Sequence, residues 1–502
     1  KKKINILDVF KNKIDFNQYP GEIFWKRYLK KIKNSDHVSN YENRNLGQEI
    51  RSEVIKKHLG IDKEKIEFVD HHYCHSLYAY FSGPLNLKDS TVITLDAYGD
   101  NQNFTCYTYK RKNSIIKINK ILSSNKSIIA RLYRYITLIL RMKPSQHEYK
   151  VMGLAPYAKT YYTEEVYKEF LRIQRFHKLK FTKKKIKDLY FSVYEIVKKH
   201  RFDSIAGALQ RYAETIVLNI LGDCIRKTKI KNLCYSGGVA MNVKANMIFT
   251  QKKITNNFYI PPVPDDTAHA IGACYYSYHK KTKLYPNKLE NAYLGYEIND
   301  QEALENIKKF QLNKKFQIQY KNIIPSISKM LITNKIIARA SGKAEFGARA
   351  LGNRSIFCNP KNFSNRDVIN EKIKNRDFWM PFAASVIDKY ASKYFQIDQP
   401  LEYYKYMTNC LETKNLGKSL LSAAIHPYDK TCRPQILFKK DNPFYYSLIS
   451  HFGKKTGIYG LLNTSFNLHG YPIVNNAGDA IRVFKETNLD GLILSNYLII
   501  KK

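Results

Sequence analysis

No Cys-x-x-Cys pair occurs among the eight cysteines. Its lack argues against a structural zinc site and against the disulfide framework of a small secreted domain. A reducing cytoplasm is the expected home. Long apolar runs are missing too: nothing approaches the roughly 18 uncharged apolar residues that a membrane span needs. The basic N-terminus has no apolar stretch behind it, so no signal peptide is read there. There is no initiator Met either, and a trimmed start is expected. Internal repeats and low-complexity tracts are not seen. Acidic residues are scarce, 43 against 84 basic ones, for a formal net charge of +41. Such an excess attracts nucleic acid or acidic membranes. Yet the lysines are scattered beside Asn, Ile and Tyr, and the cluster Lys183-Lys184-Lys185 lacks the interleaved aromatics of a nucleic-acid groove. Nucleic-acid binding is therefore the minor expectation.

What is present is enough for more than one core. The chain has 502 residues, 44% hydrophobic and 13% aromatic, so two or more domains are expected. Tyr19 to Glu22 reads as a turn, Ile23 to Leu29 as a helix, and about Leu46 to Leu59 as a second helix stopped by Gly60. Ile66 to Val69 reads as a short strand running into Asp70-His71-His72-Tyr73-Cys74-His75. If the chain turns helical there, His71 and His75 share one face, a spacing that suits two imidazoles on one metal. A capped, half-buried pair is the plainer reading. Thr91 to Asp100 is a strand ending in an acidic, Gly-containing turn, with a hairpin partner from Phe104 to Tyr109. A carboxylate in such a turn holds a cation, faces a phosphate or is an ordinary turn residue.

Glu148 to Tyr157 reads as a compact loop. Asp203 or Ser204 is the expected cap of a long core helix with Ile205, Leu209, Tyr212, Ile216 and Ile220 on one stripe. Leu233 to Tyr235, a buried strand, runs into Ser236-Gly237-Gly238 and then a helix, an arrangement that cradles nucleotides and also serves any tight turn. Pro261 to Ala273 presents Asp265 and Asp266 before a helix of small residues; the aspartates cap that helix or complete a metal site. Tyr293 to Tyr296 looks like a domain boundary. Strands follow at Ile336 to Ala340, Gly460 to Leu462 and Leu492 to Leu494. After the first comes Glu345-Phe346-Gly347-Ala348-Arg349-Ala350-Leu351-Gly352-Asn353-Arg354-Ser355. A strand, then small residues, then paired arginines is what an anion pocket needs; the bland alternative is a surface turn with solvated arginines.

The wording of these stretches resembles the NodU/CmcH family of O-carbamoyltransferases. Glu345 to Ser355 is similar to its "EFGPRALGNRS" signature, with Ala348 in place of proline. His71 to Ser76, Thr94 to Asp100, Glu148 to Tyr157, Ser236 to Asn242 and Asp266 to Ala273 follow further family motifs in order. So do Arg376 to Ser385, His426 to Gln435 and Asn463 to Asn467. The resemblance implies an α/β protein with an ASKHA domain, actin-like and related to the proteins that build threonylcarbamoyladenosine on tRNA, over residues 1–298. A YrdC-like α/β domain would fill 299–502. The second would form a carbamoyl-adenylate from carbamoyl phosphate and ATP, with Mg²⁺ as the expected counter-ion. The first would pass the carbamoyl group to a hydroxyl of a small natural product or sugar. Carried over by motif, Fe²⁺ or another divalent metal would sit on His71, His75, Asp96 and Asp266. Gly237, Gly238 and Asn242 would hold the adenylate, and Arg349, Arg354, Arg433, Asn463 and Ser465 the carbamoyl phosphate. A homodimer is a further expectation.

Departures from the pattern are also clear. The strand, His-Asp turn and acidic stretch with which the family opens do not precede Lys13, so the general base carries no assignment. Lys343, Met380 and Tyr471 replace family residues, and Thr267, Ala268 and His269 replace a usual Asp-Gly-Thr run, with His269 expected to alter the nucleotide pocket. Two alternatives stand beside the enzyme: a tRNA-modifying protein of the related class, favoured by charge, and a non-catalytic remnant that retains nucleotide binding.

Overall fold

A computed structural model describes residues 41–501 other than 184, 185, 187, 375, 376, 378 and 469. The expected turn at Tyr19, the helix from Ile23 and the first residue of the Arg376 motif lie outside the described residues. The chain divides into two units, residues 1–71 and 72–502. In the first, helix α1 (Tyr41–Leu59) ends at the glycine expected to stop it. Ile66 to Val69 is irregular backbone rather than a strand. Its apolar residues are only half-buried, and a half-buried tetrapeptide gains little from joining a ladder.

Helix α2 (His71–Phe81) starts on the last residue of the first unit and belongs otherwise to the second, on the helical alternative for the His-x-x-x-His spacing. Three strands follow: β1 (Ser90–Gly99), β2 (Gln102–Lys112) and β3 (Ile115–Ser124). The first seven residues of β1 are buried, as befits a central strand covered on both faces. The stretch expected to be a loop is helical instead: α3 (Glu148–Leu154) continues into a single turn at Ala155–Tyr157. Pro156 lies at the start of that turn, where its missing N–H costs nothing.

The long core helix is α4 (Phe202–Thr228), and its stripe of Ile205, Leu209, Tyr212, Ile216 and Ile220 is buried as the periodicity requires. Each such side chain contributes about 1.5–3 kcal/mol. The helix cap differs from expectation. Arg201 holds the cap position, and Asp203 in the first turn accepts from Arg201 Nε at 3.1 Å and from the Ser204 N–H at 2.9 Å. Next come β4 (Asn232–Ser236), α5 (Val243–Gln251), β5 (Asn257–Tyr259) and α6 (His269–Thr282). The sheet runs β3-β2-β1-β4-β5, antiparallel through the hairpins and parallel from β1 onward.

Beyond β6 (Tyr293–Ile298) the chain builds a second sheet from β7 (Phe316–Tyr320), β8 (Ile337–Ala340), β10 (Arg354–Cys358), β11 (Ala383–Ile387), β12 (Gln435–Leu437), β13 (Gly460–Ser465), β14 (Gly491–Leu494) and β15 (Tyr497–Lys501). Its order is β12-β11-β13-β10-β8-β14-β15-β7. A separate ribbon pairs β6 with β9 (Gly342–Glu345). The two largest hydrophobic cores fall on either side of Tyr293. One draws on residues 93–260, the other on residues 298–499. Two sheets with helices against them make a mixed α/β architecture.

Candidate functional site

The turn of α2 that carries His75 meets the end of β1 and the approach to α6. His75 is fully buried. Its Nε2 lies 3.0 Å from Asp96 Oδ2 and 3.4 Å from Asp266 Oδ1. On the other side of the ring, Nδ1 lies 3.3 Å from Ser236 Oγ, at the end of β4. The single proton of that hydroxyl is donated to the Pro264 carbonyl at 3.0 Å. Ser236 is then left to accept, which puts the imidazole proton on Nδ1 and the lone pair on Nε2, facing two carboxylate oxygens. A lone pair against two carboxylates is repulsive unless a positive charge lies between them. Protonation supplies it in one way: burial lowers the His75 pKa, but hydrogen bonds to Asp266 and Asp96 outweigh burial and hold it above the ordinary value. A divalent cation supplies it in another, and the mixed nitrogen and oxygen donors fit a transition metal.

Close packing brings these groups together. A side chain at Gly272 would run into the backbone of Cys74, so α6 approaches α2 with nothing between them. Gly237, at φ +96°, turns the chain against the Leu95 backbone, and its N–H donates to the Pro264 carbonyl at 2.7 Å. The neighbouring Gly238 lies beside the Asp96 carboxylate. Asp265 and Asp266 divide the two roles that the sequence left open. Asp265 caps, accepting from the Thr267 N–H at 3.0 Å, while Asp266 faces the imidazoles. His71, His75, Asp266 and His269 each offer one ligand atom, all within 4.8 Å of one another. Asp96 stands outside that set but against His75. His269 is the residue that the sequence reading assigned to the nucleotide pocket. A histidine three positions after Asp266, at the head of a helix, was the available signal.

Asn242, expected to hold an adenylate, caps α5 by accepting from the Ala245 N–H at 3.0 Å. Its amide also exchanges two 3.0 Å hydrogen bonds with Gln210, a polar residue that the sequence reading passed over on α4. The Asn242 side chain is thus occupied with the helix end beyond the Gly237–Gly238 turn.

The arginine stretch is shaped by Glu345, whose Oε1 accepts from the N–H groups of Leu351 and Asn353 at 2.7 Å and of Arg354 at 3.2 Å. Arg349 and Arg433 are half-buried, and among the described residues neither has a hydrogen-bond or ion-pair partner. Burial and then the neighbouring Arg433 push the Arg349 pKa down to about 9, and burial lowers that of Arg433. Two half-buried cations side by side, with Asp265 the carboxylate that acts on Arg349 from a distance, cost free energy that a bound anion returns.

Arg354 corrects the sequence reading. Its guanidinium donates to the carbonyls of Ser341, Gly342, Asn353, Tyr296 and Asn475. It braces the loop and has no fork left for phosphate. Asn463 is also turned inward: its amide donates to the Ala350 carbonyl at 3.0 Å and to Ser385 Oγ at 2.9 Å. It positions the backbone next to Arg349. Ser465 Oγ pairs with Asn467 Oδ1 at 2.7 Å, and Lys374 Nζ donates to it at 3.1 Å.

A cavity of about 350 Å³ lies at Gln210, Arg211, Glu214, Lys244, Tyr428 and Asp429. Lys244 donates to Asp429 Oδ2 at 2.6 Å, and burial raises the Glu214 pKa. Nearby, His426 Nε2 donates to the Gly153 carbonyl at 2.9 Å, and its Nδ1 accepts from the Tyr428 and Asp429 N–H groups at 3.2 and 3.3 Å. The His426 motif therefore locks onto α3.

A carbamoyltransferase N-terminus family model matches residues 8–275, and a carbamoyltransferase C-terminus model matches residues 328–501. The chain belongs to the carbamoyltransferase family. An uncharacterized Methanocaldococcus jannaschii protein is 33% identical, over 90% of this chain and 86% of that one. Nodulation protein NolNO of Sinorhizobium fredii is 29% identical, over 91% of this chain and 66% of its own length. Nodulation protein NolO of Bradyrhizobium diazoefficiens is 30% identical, over 71% and 66%. Together they make the chain a carbamoyltransferase enzyme of the NodU type. A crystal structure of full-length HypF in a phosphate- and nucleotide-bound form is 16% identical over 37% of this chain and 22% of that one. Its TM-score is 0.27, too low to carry an argument. Among the described residues, no helix of this carbamoyltransferase is long and apolar enough to cross a membrane.

Proposed function

We propose that the chain is an O-carbamoyltransferase that takes the carbamoyl group from carbamoyl phosphate, passes it through an ATP-derived carbamoyl-adenylate, and delivers it to a hydroxyl of a small natural product or sugar. The division of labour follows the two cores: a YrdC-like activating domain over 299–502 and an ASKHA-type transfer domain over 1–298. The observation that carries the reading is the neighbouring pair Arg349 and Arg433, two half-buried guanidinium groups with no hydrogen-bond or ion-pair partner among the described residues, which suits a dianionic phosphate. Making one carbamoyl-adenylate from carbamoyl phosphate and ATP consumes one water and releases one phosphate and one pyrophosphate. The acceptor oxygen then displaces AMP, and its proton leaves to solvent or a base. Arg349 and Arg433 bind the phosphate and balance charge as it develops. Enclosure keeps an unstable mixed anhydride from bulk water.

The residues around His75 fit a divalent cation, with iron as the proposed ion. His71, His75 and Asp266 would hold it, with Asp96 beside them. When bound it supplies Lewis acidity or positions groups for transfer. Ser236 holds the His75 ring in the orientation this requires.

Incubation of the protein with carbamoyl phosphate and ATP is expected to release phosphate and pyrophosphate. Arg349→Ala should reduce both by at least about a hundredfold, the scale for loss of a charge-stabilising donor. Undiminished release from that variant would overturn the assignment of the pocket.

A further inference from the structure

We infer that His269 is itself a ligand in the metal centre of this chain, an imidazole added to the histidines of α2. The inference rests on the metal reading above and extends it to a residue that the motif comparison assigns elsewhere. His269 Nε2 and His75 Nε2 converge on one atom: they lie 3.8 and 3.4 Å from the same Asp266 Oδ1. The two rings stand edge to face with centroids 4.2 Å apart. The glycine at 272 creates this proximity. It lets the first turn of α6 rest on the Cys74 backbone, one residue before His75. Asp265 fixes the entry to α6 by capping through Thr267, which leaves Asp266 and His269 on the side of the helix that faces His75.

Two imidazole nitrogens and one carboxylate oxygen meet at one place, and a cation there would take all three as donors at once. Three histidines with one or two carboxylates are a donor set richer in nitrogen than the motif implies. Imidazole-rich sites suit zinc, cobalt, nickel and iron over magnesium or calcium. His269 would thus set which ion the centre prefers as well as how tightly it is held.

The test uses the full chain and Co²⁺ alone, added anaerobically after chelation and dialysis. The parent protein should bind one equivalent and show visible ligand-field bands. His269→Ala should weaken Co²⁺ binding by about tenfold or more and move those bands. His269→Cys should restore binding and add a thiolate-to-cobalt charge-transfer band, which no structural role would produce. Melting curves of the metal-free proteins show whether each variant is folded. Identical affinity and spectra in parent and His269→Ala, with binding lost in His75→Ala, would overturn the role of His269 while leaving the centre intact. Absence of Co²⁺ binding in the parent would overturn both.

Discussion

A guanidinium carries five N–H donors, and at Arg354 backbone carbonyls from five residues take them up. At Arg433, a residue of the same type, among the described residues no oxygen does. The two arginines should therefore respond oppositely to replacement by an uncharged side chain of similar length. Arg354→Met leaves buried carbonyls without donors, at about 1–3 kcal/mol for each one stranded. A lower melting temperature is expected, with activity lost only as far as the fold is. Arg433→Met removes a half-buried charge with no hydrogen-bond partner among the described residues, so the melting temperature should hold or rise while phosphate release collapses. Thermal unfolding and product assays on the two variants check this. A destabilised Arg433→Met would show that the charge is compensated in the folded protein. The eleven-residue signature marked both arginines alike, because a motif records residue types and not what surrounds them.

At the scale of elements, α2 could be read only conditionally: a helix there would put His71 and His75 on one face, and the chain is helical from His71 to Phe81. The stretch that forms α3 could not be read as a helix. It is short, and what stabilises it includes the His426 contact to the Gly153 carbonyl, from a segment far along the chain. That contact makes a pH prediction. Burial lowers the His426 pKa, with Lys244 and Arg366 adding to the effect and Asp429 opposing it. The folded state thus refuses a proton that the unfolded chain accepts below about pH 6.5. Stability is fully present above that value and declines as pH falls toward the lowered folded pKa. Asp429, which burial pushes up but the Lys244 charge and the hydrogen bonds from Lys244 and the Thr431 N–H hold below its ordinary value, gives a loss of the same sign at more acid pH. Glu214, raised by burial, acts in the opposite sense above its own ordinary range. His426→Gln should flatten the melting temperature between about pH 7 and pH 5.5 relative to the parent. Equal slopes in the two proteins would remove His426 as the cause.

Across the whole molecule, two hydrophobic cores lie on either side of Tyr293, and the arginine pair belongs to the stretch after it. An anion bound at Arg349 and Arg433 stabilises only the folded state. Inorganic phosphate at a hundred times its dissociation constant should therefore add about 2.7 kcal/mol to stability. The rise in melting temperature should disappear in Arg433→Met and should not be reproduced by chloride at equal ionic strength. A shift of the same size in both proteins would place the phosphate elsewhere on this basic chain.

The amino-acid sequence alone determined many of the strands and helices, the stripe of α4 and the family. Those are written in local periodicity and in short ordered motifs, which need no knowledge of distant neighbours. Only the tertiary structure decided which of two adjacent aspartates caps and which faces the imidazoles, which arginine braces the loop and which has no hydrogen-bond partner among the described residues, and that His269 lies against His75. Each of those outcomes depends on a contact between segments remote in the chain, such as Gly272 against Cys74 or Arg354 against Asn475, and residue identity carries no record of such a meeting.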